Sequence, residues 1–259
     1  LKIGDKVLIV RRGDVIPKIE RGLGRASKSD LHERVHATGE PYSAALPESI
    51  AITPPERCPA CEGKIEIEGA FLKCPELFCV ARTSRAILYW CRSLEMDGIG
   101  EKLVEQLLDE GIIATVADLY RLNFDQLMAL ERTGEKSANN VLSEISKSTT
   151  MVLGRFLHAL GLSGIGPELA NAIATKLRDA TGLIQWLDSA HAVKGDALFG
   201  PRHADNGKAH DHNEAIRGLM EIDGVGSIVA LHFRDGLQQR RAMLDDLLTL
   251  VVVQEQPSI

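Results

Sequence analysis

The sequence predicts a multi-domain, mainly α protein: a partial β unit, a small four-cysteine finger, and an α-helical domain built on four helix-hairpin-helix motifs. Three observations carry this. Valine and isoleucine dominate between turn residues over the first 20 positions, four cysteines cluster at 58–79, and a glycine-bearing turn recurs four times between segments of helical period. The 44% hydrophobic and 25% charged fractions are those of an ordinary globular protein. No run approaches the roughly 18 apolar residues of a membrane span. No basic stretch leads into an apolar one as an export signal would, so the chain reads as cytoplasmic.

Residues 1–20, LKIGDKVLIVRRGDVIPKIE, place Gly4, Asp5, Gly13 and Asp14 as turn punctuation around two apolar runs, with Pro17 closing the second. This is a strand hairpin within a β unit assigned to residues 1–40. Two strands are not stable alone in water, so they are expected to belong to a larger sheet. Because the sequence also opens on Leu1 rather than methionine, it is expected to be cut from a longer protein. Pro41, Pro47, Pro54 and Pro55 mark residues 41–57 as a linker, with one short strand around Ile50–Ile52.

The cysteine finger is assigned to residues 58–85. Its spacing is C-x2-C-x12-C-x4-C through Cys58, Cys61, Cys74 and Cys79. Two short-spaced pairs joined by a hairpin bring four thiolates to about 2.3 Å from one zinc ion without a large core. With every coordination position taken by sulfur there is no place for an activated water, so the metal is expected to be structural. Cys91, beside Trp90, reads as an ordinary core thiol.

The helical domain is assigned to residues 86–240. The recurring unit is Met96-Asp97-Gly98-Ile99-Gly100, Leu130-Glu131-Arg132-Thr133-Gly134, Leu162-Ser163-Gly164-Ile165-Gly166 and Ile222-Asp223-Gly224-Val225-Gly226. The final glycines lie 34, 32 and 60 residues apart, so an insertion of nearly one repeat separates the third and fourth copies. It falls at about 190–213 and carries His191, His203, His210 and His212 with Asp205 and Asp211; its composition favours a polar loop, with a transition-metal site as the alternative. Residues 241–259 are left as a C-terminal tail.

Each turn is followed directly by a helix, whose free N–H groups and positive dipole end form an anion site that a glycine leaves open to close approach. A phosphate backbone held by such amides needs no strongly basic surface. The formal net charge of −6 therefore does not exclude nucleic acid, and residues 1–28 hold eight basic side chains against three acids. The candidate contacts are Gly98, Gly100, Gly134, Lys136, Gly164, Gly166, Gly224 and Gly226. The second copy carries Arg132 where its first glycine would stand, which marks it as a structural member, although Lys136 remains in reach of a phosphate. A single such turn would be read as a plain helix–helix connection. Four copies point to a ligand.

The order of hairpin, four-cysteine knuckle and four helical hairpins resembles the C-terminal part of bacterial NAD-dependent DNA ligases. Arg11-Arg12-Gly13-Asp14-Val15-Ile16-Pro17 is similar to a strand motif of that family's oligonucleotide-binding (OB-fold) domain, and Cys58-Pro59-Ala60-Cys61 to its zinc knuckle. Met96 to Leu103 resembles its first hairpin, while Ala117 to Leu122 with Gly134 to Ala138 resembles its second. The resemblance implies a nucleoid-associated clamp around nicked double-stranded DNA, with Arg11 and Lys18 of the OB remnant joining the hairpins on the backbone. It implies nick sealing in replication and repair with NAD and Mg2+. No K-x-D-G motif occurs in this sequence, so no catalytic residue is assigned. The lysine nucleophile and the NAD and magnesium sites are expected in an N-terminal catalytic half of the same ligase. Two alternatives stand beside this reading: a stand-alone, non-catalytic zinc and hairpin DNA repair factor, and an RNA-binding or scaffolding helical protein.

Overall fold

The computed structural model describes residues 1–12, 16–31, 48–68, 71–76, 79–190 and 214–257. The expected polar insertion lies almost wholly outside these residues, as does the Gly13-Asp14-Val15 turn. The fold is mainly helical with small two-stranded sheets. Two units separate, Leu1–Pro75 and Glu76–Ile259.

In the first unit β1 (Asp5–Arg12) pairs antiparallel with β2 (Ile16–Arg25), with register shifts between Asp5 and Val7 and between Leu8 and Ile9. β2 is exposed along its whole length, and Ile9, Ile16, Ile19 and Leu23 all face solvent. Branched side chains of this kind form strands because they suit a pleated, packed surface. The expected short strand at Ile50–Ile52 is reduced to one bridge, Lys2 to Ala51, beside an Ile3 N–H bond to the Ile50 carbonyl at 2.8 Å. Further on, β3 (Glu66–Glu68) and β4 (Phe71–Lys73) make a three-rung antiparallel hairpin.

Among the described residues, the second unit packs ten helices around one continuous core that runs in sequence from Ile87 to Val251. The helices are α1 (Val80–Ser93), α2 (Glu101–Asp109), α3 (Phe124–Met128), α4 (Glu135–Lys147), α5 (Leu153–Ala159), α6 (Pro167–Leu177), α7 (Ala180–Ser189), α8 (Glu214–Met220), α9 (Ser227–Gln238) and α10 (Arg241–Leu250). Two tryptophans anchor the packing. Trp90 of α1, fully buried, meets Phe156 of α5 edge-on at 5.7 Å, and its indole N–H donates to the Tyr120 hydroxyl at 3.0 Å. Trp186 of α7 lies 5.1 Å from Phe233 of α9 and donates to the Ala215 carbonyl. Each ring thus buries its apolar body while its one donor is satisfied, as a buried indole requires.

Residues 241–257, left as a tail by the repeat pattern, are built into this unit. α10 buries Leu244 and Leu247, and Arg121 clasps Asp246 with both guanidinium nitrogens, at 2.8 and 2.5 Å. β6 (Val252–Gln254) then pairs in parallel with β5 (Thr150–Val152). Gln256 finishes the closure, accepting from the Gly154 N–H at 2.8 Å and donating its own N–H to the Arg178 carbonyl at 2.7 Å. Among the described residues no helix is long and apolar enough to cross a membrane.

Candidate metal centre and nucleic-acid interface

The sulfurs of Cys58, Cys61, Cys74 and Cys79 all lie within 4.8 Å of one another, with Cys61 and Cys74 at 3.5 Å. A tetrahedron with bonds of about 2.3 Å has edges of about 3.8 Å, so the four donors are gathered to the scale of one metal ion. The local backbone explains the first pair. Cys58 N–H donates to the Gly63 carbonyl at 2.8 Å, Glu62 N–H returns to the Cys58 carbonyl at 2.9 Å, and Glu62 adopts a positive φ of 58°. The chain thereby curls around Cys58 and turns amides toward its sulfur. Chiefly through the Ala60 N–H, this lowers the Cys58 thiol to about 7, which favours the thiolate that a metal needs. Cys91 is of another kind. Buried in the core of α1, its thiol is pushed up to about 12 by burial, in keeping with a packing role.

The four glycine turns share one geometry. The residues ahead of the central apolar position all take positive φ: Gly98 at 81°, Arg132 at 60°, Gly164 at 78° and Gly224 at 81°. The next residue is the anchor; Ile99, Ile165 and Val225 are buried, and Thr133 half-buried. Then comes Gly100, Gly134, Gly166 or Gly226, extended, at the N-cap of α2, α4, α6 or α9. The carbonyls of these glycines accept the first helical bonds from Val104, Ala138, Ala170 and Ala230, all four fully buried. All the turn glycines are exposed, as is Lys136. A Cβ on any of the four capping glycines would meet nothing within 4 Å.

The capping pattern is informative. Two helices are capped by side chains, α3 through Asn123 in a full capping box and α7 through Asp179, while α1, α5 and α10 start without a side-chain cap on Cys79, Val152 and Arg240. The four helices that follow the turns carry glycine instead, with no side-chain cap. Their first amides are left for a ligand or for water, and the partial positive charge there suits an anion. α2, α4 and α6 also carry one acid each in the first turn, whereas α9 carries none.

The turns are braced in pairs. Val141 of α4 sits 3.9 Å from the Cβ position of Gly98. Glu144 of α4 takes Lys147 at 2.5 Å and the Asp97 N–H, and Lys147 first among these holds its carboxyl below the usual range. Leu169 of α6 likewise approaches the Cβ position of Gly224 at 3.2 Å, and Lys176 bridges to Glu221 at 2.6 Å. These braces were missed in the sequence, where nothing links Glu144 to a turn some 45 residues before it.

Arg11 and Lys18 stand on adjacent rungs of the β1–β2 ladder, opposite Pro17 and Val10 respectively. Successive rungs point to opposite faces, so the two basic side chains do not form one patch.

Comparison with known proteins bears on both sites. Residues 94–147, which hold the first two turns, match the family model of the SAM-like helix-hairpin-helix tandem. The chain is 36% identical over 234 residues to a DNA ligase of Syntrophotalea carbinolica, covering 86% of this chain and 31% of that protein. It is 37% identical over 194 residues to a DNA ligase of Pseudomonas paraeruginosa, covering 68% of this chain and 22% of that one. This chain is a homologue of part of a DNA ligase. It spans less than a third of the length of these ligase relatives.

Within this ligase-like stretch, the second turn is not degenerate. Arg132 adopts the backbone its three glycine counterparts adopt, at a position where a non-glycine residue is strained by about 1 kcal/mol or more. Arg132→Gly should therefore raise stability by roughly 1 kcal/mol, read as an upward shift in thermal midpoint. An unchanged or lowered midpoint would show that the arginine side chain makes good the strain.

Proposed function

We propose that this chain is the DNA-gripping portion of an NAD-dependent DNA ligase, acting on nicked duplex DNA in the bacterial cytoplasm. The observation that carries the reading is the fourfold use of an exposed glycine as the N-cap directly after a positive-φ turn, with open space where a Cβ would stand. In this reading, amides beside Gly98, Gly100, Gly134, Gly164, Gly166, Gly224 and Gly226 hold phosphates of the sugar-phosphate backbone, and Lys136 adds a charge at the second turn. Backbone-mediated contacts position a protein on DNA without reading sequence, which is what a nick-sealing enzyme requires. Similarity to proteins named DNA ligase supports the same conclusion.

Residues 1–40 then belong to an OB-fold domain, in which Arg11 and Lys18, on opposite faces of the ladder, reach the DNA separately rather than as one patch. Cys58, Cys61, Cys74 and Cys79 hold a structural Zn2+, whose chemistry is to fix the knuckle rather than to activate water. Adenylation by NAD, and the Mg2+ it uses, belong to the catalytic half of the ligase.

The test is direct. The chain should bind a nicked duplex weakly, with a modest salt dependence, in fluorescence anisotropy, and should seal no nick when given NAD and Mg2+. Absence of any DNA binding would overturn the gripping role, and nick sealing by this chain would overturn the division of labour.

A further inference from the structure

α1 carries a second basic feature, apart from the glycine turns. Arg82, Arg85, Tyr89 and Arg92 fall at i, i+3, i+7 and i+10, within one quarter-turn of the helix, opposite its buried face of Ile87, Leu88, Trp90 and Cys91. Arg85, Tyr89 and Arg92 are exposed. The helix contains no acid at all. A charged helix face is usually a solvated one, and two facts set this one apart.

The first fact is pairing. Elsewhere in the helical unit Arg121, Arg155, Arg178, Arg234 and Arg241 each meet a carboxylate, on Asp246, Glu95, Glu255, Asp235 and Asp188, while Arg132 and Arg217, which have none among the described residues, stand singly rather than together on one helix face. In a chain with 36 acids and 30 bases such partners are plentiful. The side chains of Arg85 and Arg92 nevertheless make no hydrogen bond or ion pair with any described residue. The second fact is position. Cations near a helix N-terminus oppose the dipole, yet Arg82 stands in the first turn and Arg85 in the second, so helix stability does not account for them. The face is further electropositive through Arg240, packed close enough to feel the charge of Arg82 and bonded to the Leu160 carbonyl at 3.1 Å. Tyr89 adds a flat exposed ring, its hydroxyl fixed on His158 at 2.9 Å.

We infer that the Arg85–Tyr89–Arg92 face of α1 is a second contact surface for the phosphate backbone of duplex DNA, separate from the glycine turns. This rests on the DNA-binding reading above. Arg85 and Arg92 stand about 10 Å apart along the helix at about 1.5 Å per residue. That separation is enough for the two guanidinium groups to meet different phosphates of one strand. The turn amides contribute little salt dependence, so within the helical unit this face, with Lys136, supplies most of it.

The experiment compares the whole chain with Arg85→Ala/Arg92→Ala, Gly166→Val and the paired-arginine control Arg241→Gln on one nicked duplex across salt concentrations, with circular dichroism confirming the fold. For the arginine pair, affinity at low salt should fall about tenfold or more. The slope of log affinity against log salt should shrink by about 2, one per lost phosphate contact. Gly166→Val should lower affinity with the slope kept, and Arg241→Gln should change neither by more than a fraction of this. An arginine pair that binds with wild-type affinity and slope while Gly166→Val weakens binding overturns this inference alone. Absence of DNA binding by the wild-type chain overturns both it and the reading beneath it.

Discussion

Gly166→Asp and Gly226→Asp, made together, should raise the thermal midpoint of the chain and weaken its binding to nicked duplex about a hundredfold. Both glycines occupy N-cap backbone geometry that aspartate adopts readily, with φ of −82° at each and open space where the side chain would go. Asp179 already performs this task on α7, where its carboxylate accepts from the Gly182 N–H at 2.8 Å. A carboxylate cap improves on glycine by a few tenths of a kcal/mol and gains a further 0.3–1 kcal/mol or so from the dipole. Each substitution should therefore stabilise by about 0.5–1 kcal/mol, or a few degrees for the pair. The same carboxylates would occupy the amides proposed to hold phosphate and repel it. Losing one charged hydrogen-bonding site costs about 1.5–3 kcal/mol, so two give roughly a hundredfold or more. Stability and affinity would thus move in opposite directions, which general damage to the fold cannot imitate. If the double variant melts higher and binds DNA as well as the wild type, the bare amides are not the contacts.

The second large effect concerns the metal. The purified chain should carry one zinc per molecule, and Cys74→Ser or prolonged chelation should remove it and unfold the knuckle. β3 and β4 offer three residues each, and Ile67 and Phe71 are both 76% exposed, so this hairpin has no core of its own. Its order must come from ligation, worth on the order of 10 kcal/mol in isolated zinc fingers. The helical unit has a separate hydrophobic core, so far-ultraviolet dichroism should change little. The pH dependence has a definite sign. A thiol lowered to about 7 is ionised above that value and takes up a proton as pH falls through it, so metal should escape to a chromophoric chelator faster at pH 6 than at pH 8. Metal content near zero in the untreated chain would contradict this, as would full content in Cys74→Ser.

What the sequence disclosed depended on how local the signal was. The cysteine cluster and three of the four turns are written in short spacings, because a knuckle and a positive-φ turn each place fixed residue types a few positions apart. The second turn was harder to read: Arg132 occupies a left-handed conformation that only the fold around it enforces. α10 was passed over because the repeat template ends at α9, although Leu244 and Leu247 at helical spacing announce a buried face. The Glu144 to Asp97 contact and the closure of β5 by β6 are long-range, and no local pattern encodes such pairings. Arg11 and Lys18 show the reverse limit, since the resemblance names them together while the strand ladder sets them on opposite faces.

The most direct test of the central claim is an amide nuclear magnetic resonance titration of the whole chain with nicked duplex DNA. The largest shifts should fall on the N–H groups opening α2, α4, α6 and α9, among them Lys102, Lys136, Glu168 and Ile228, while the side-chain-capped starts of α3 and α7 stay still. Saturable binding that leaves those four helix starts unmoved would contradict it.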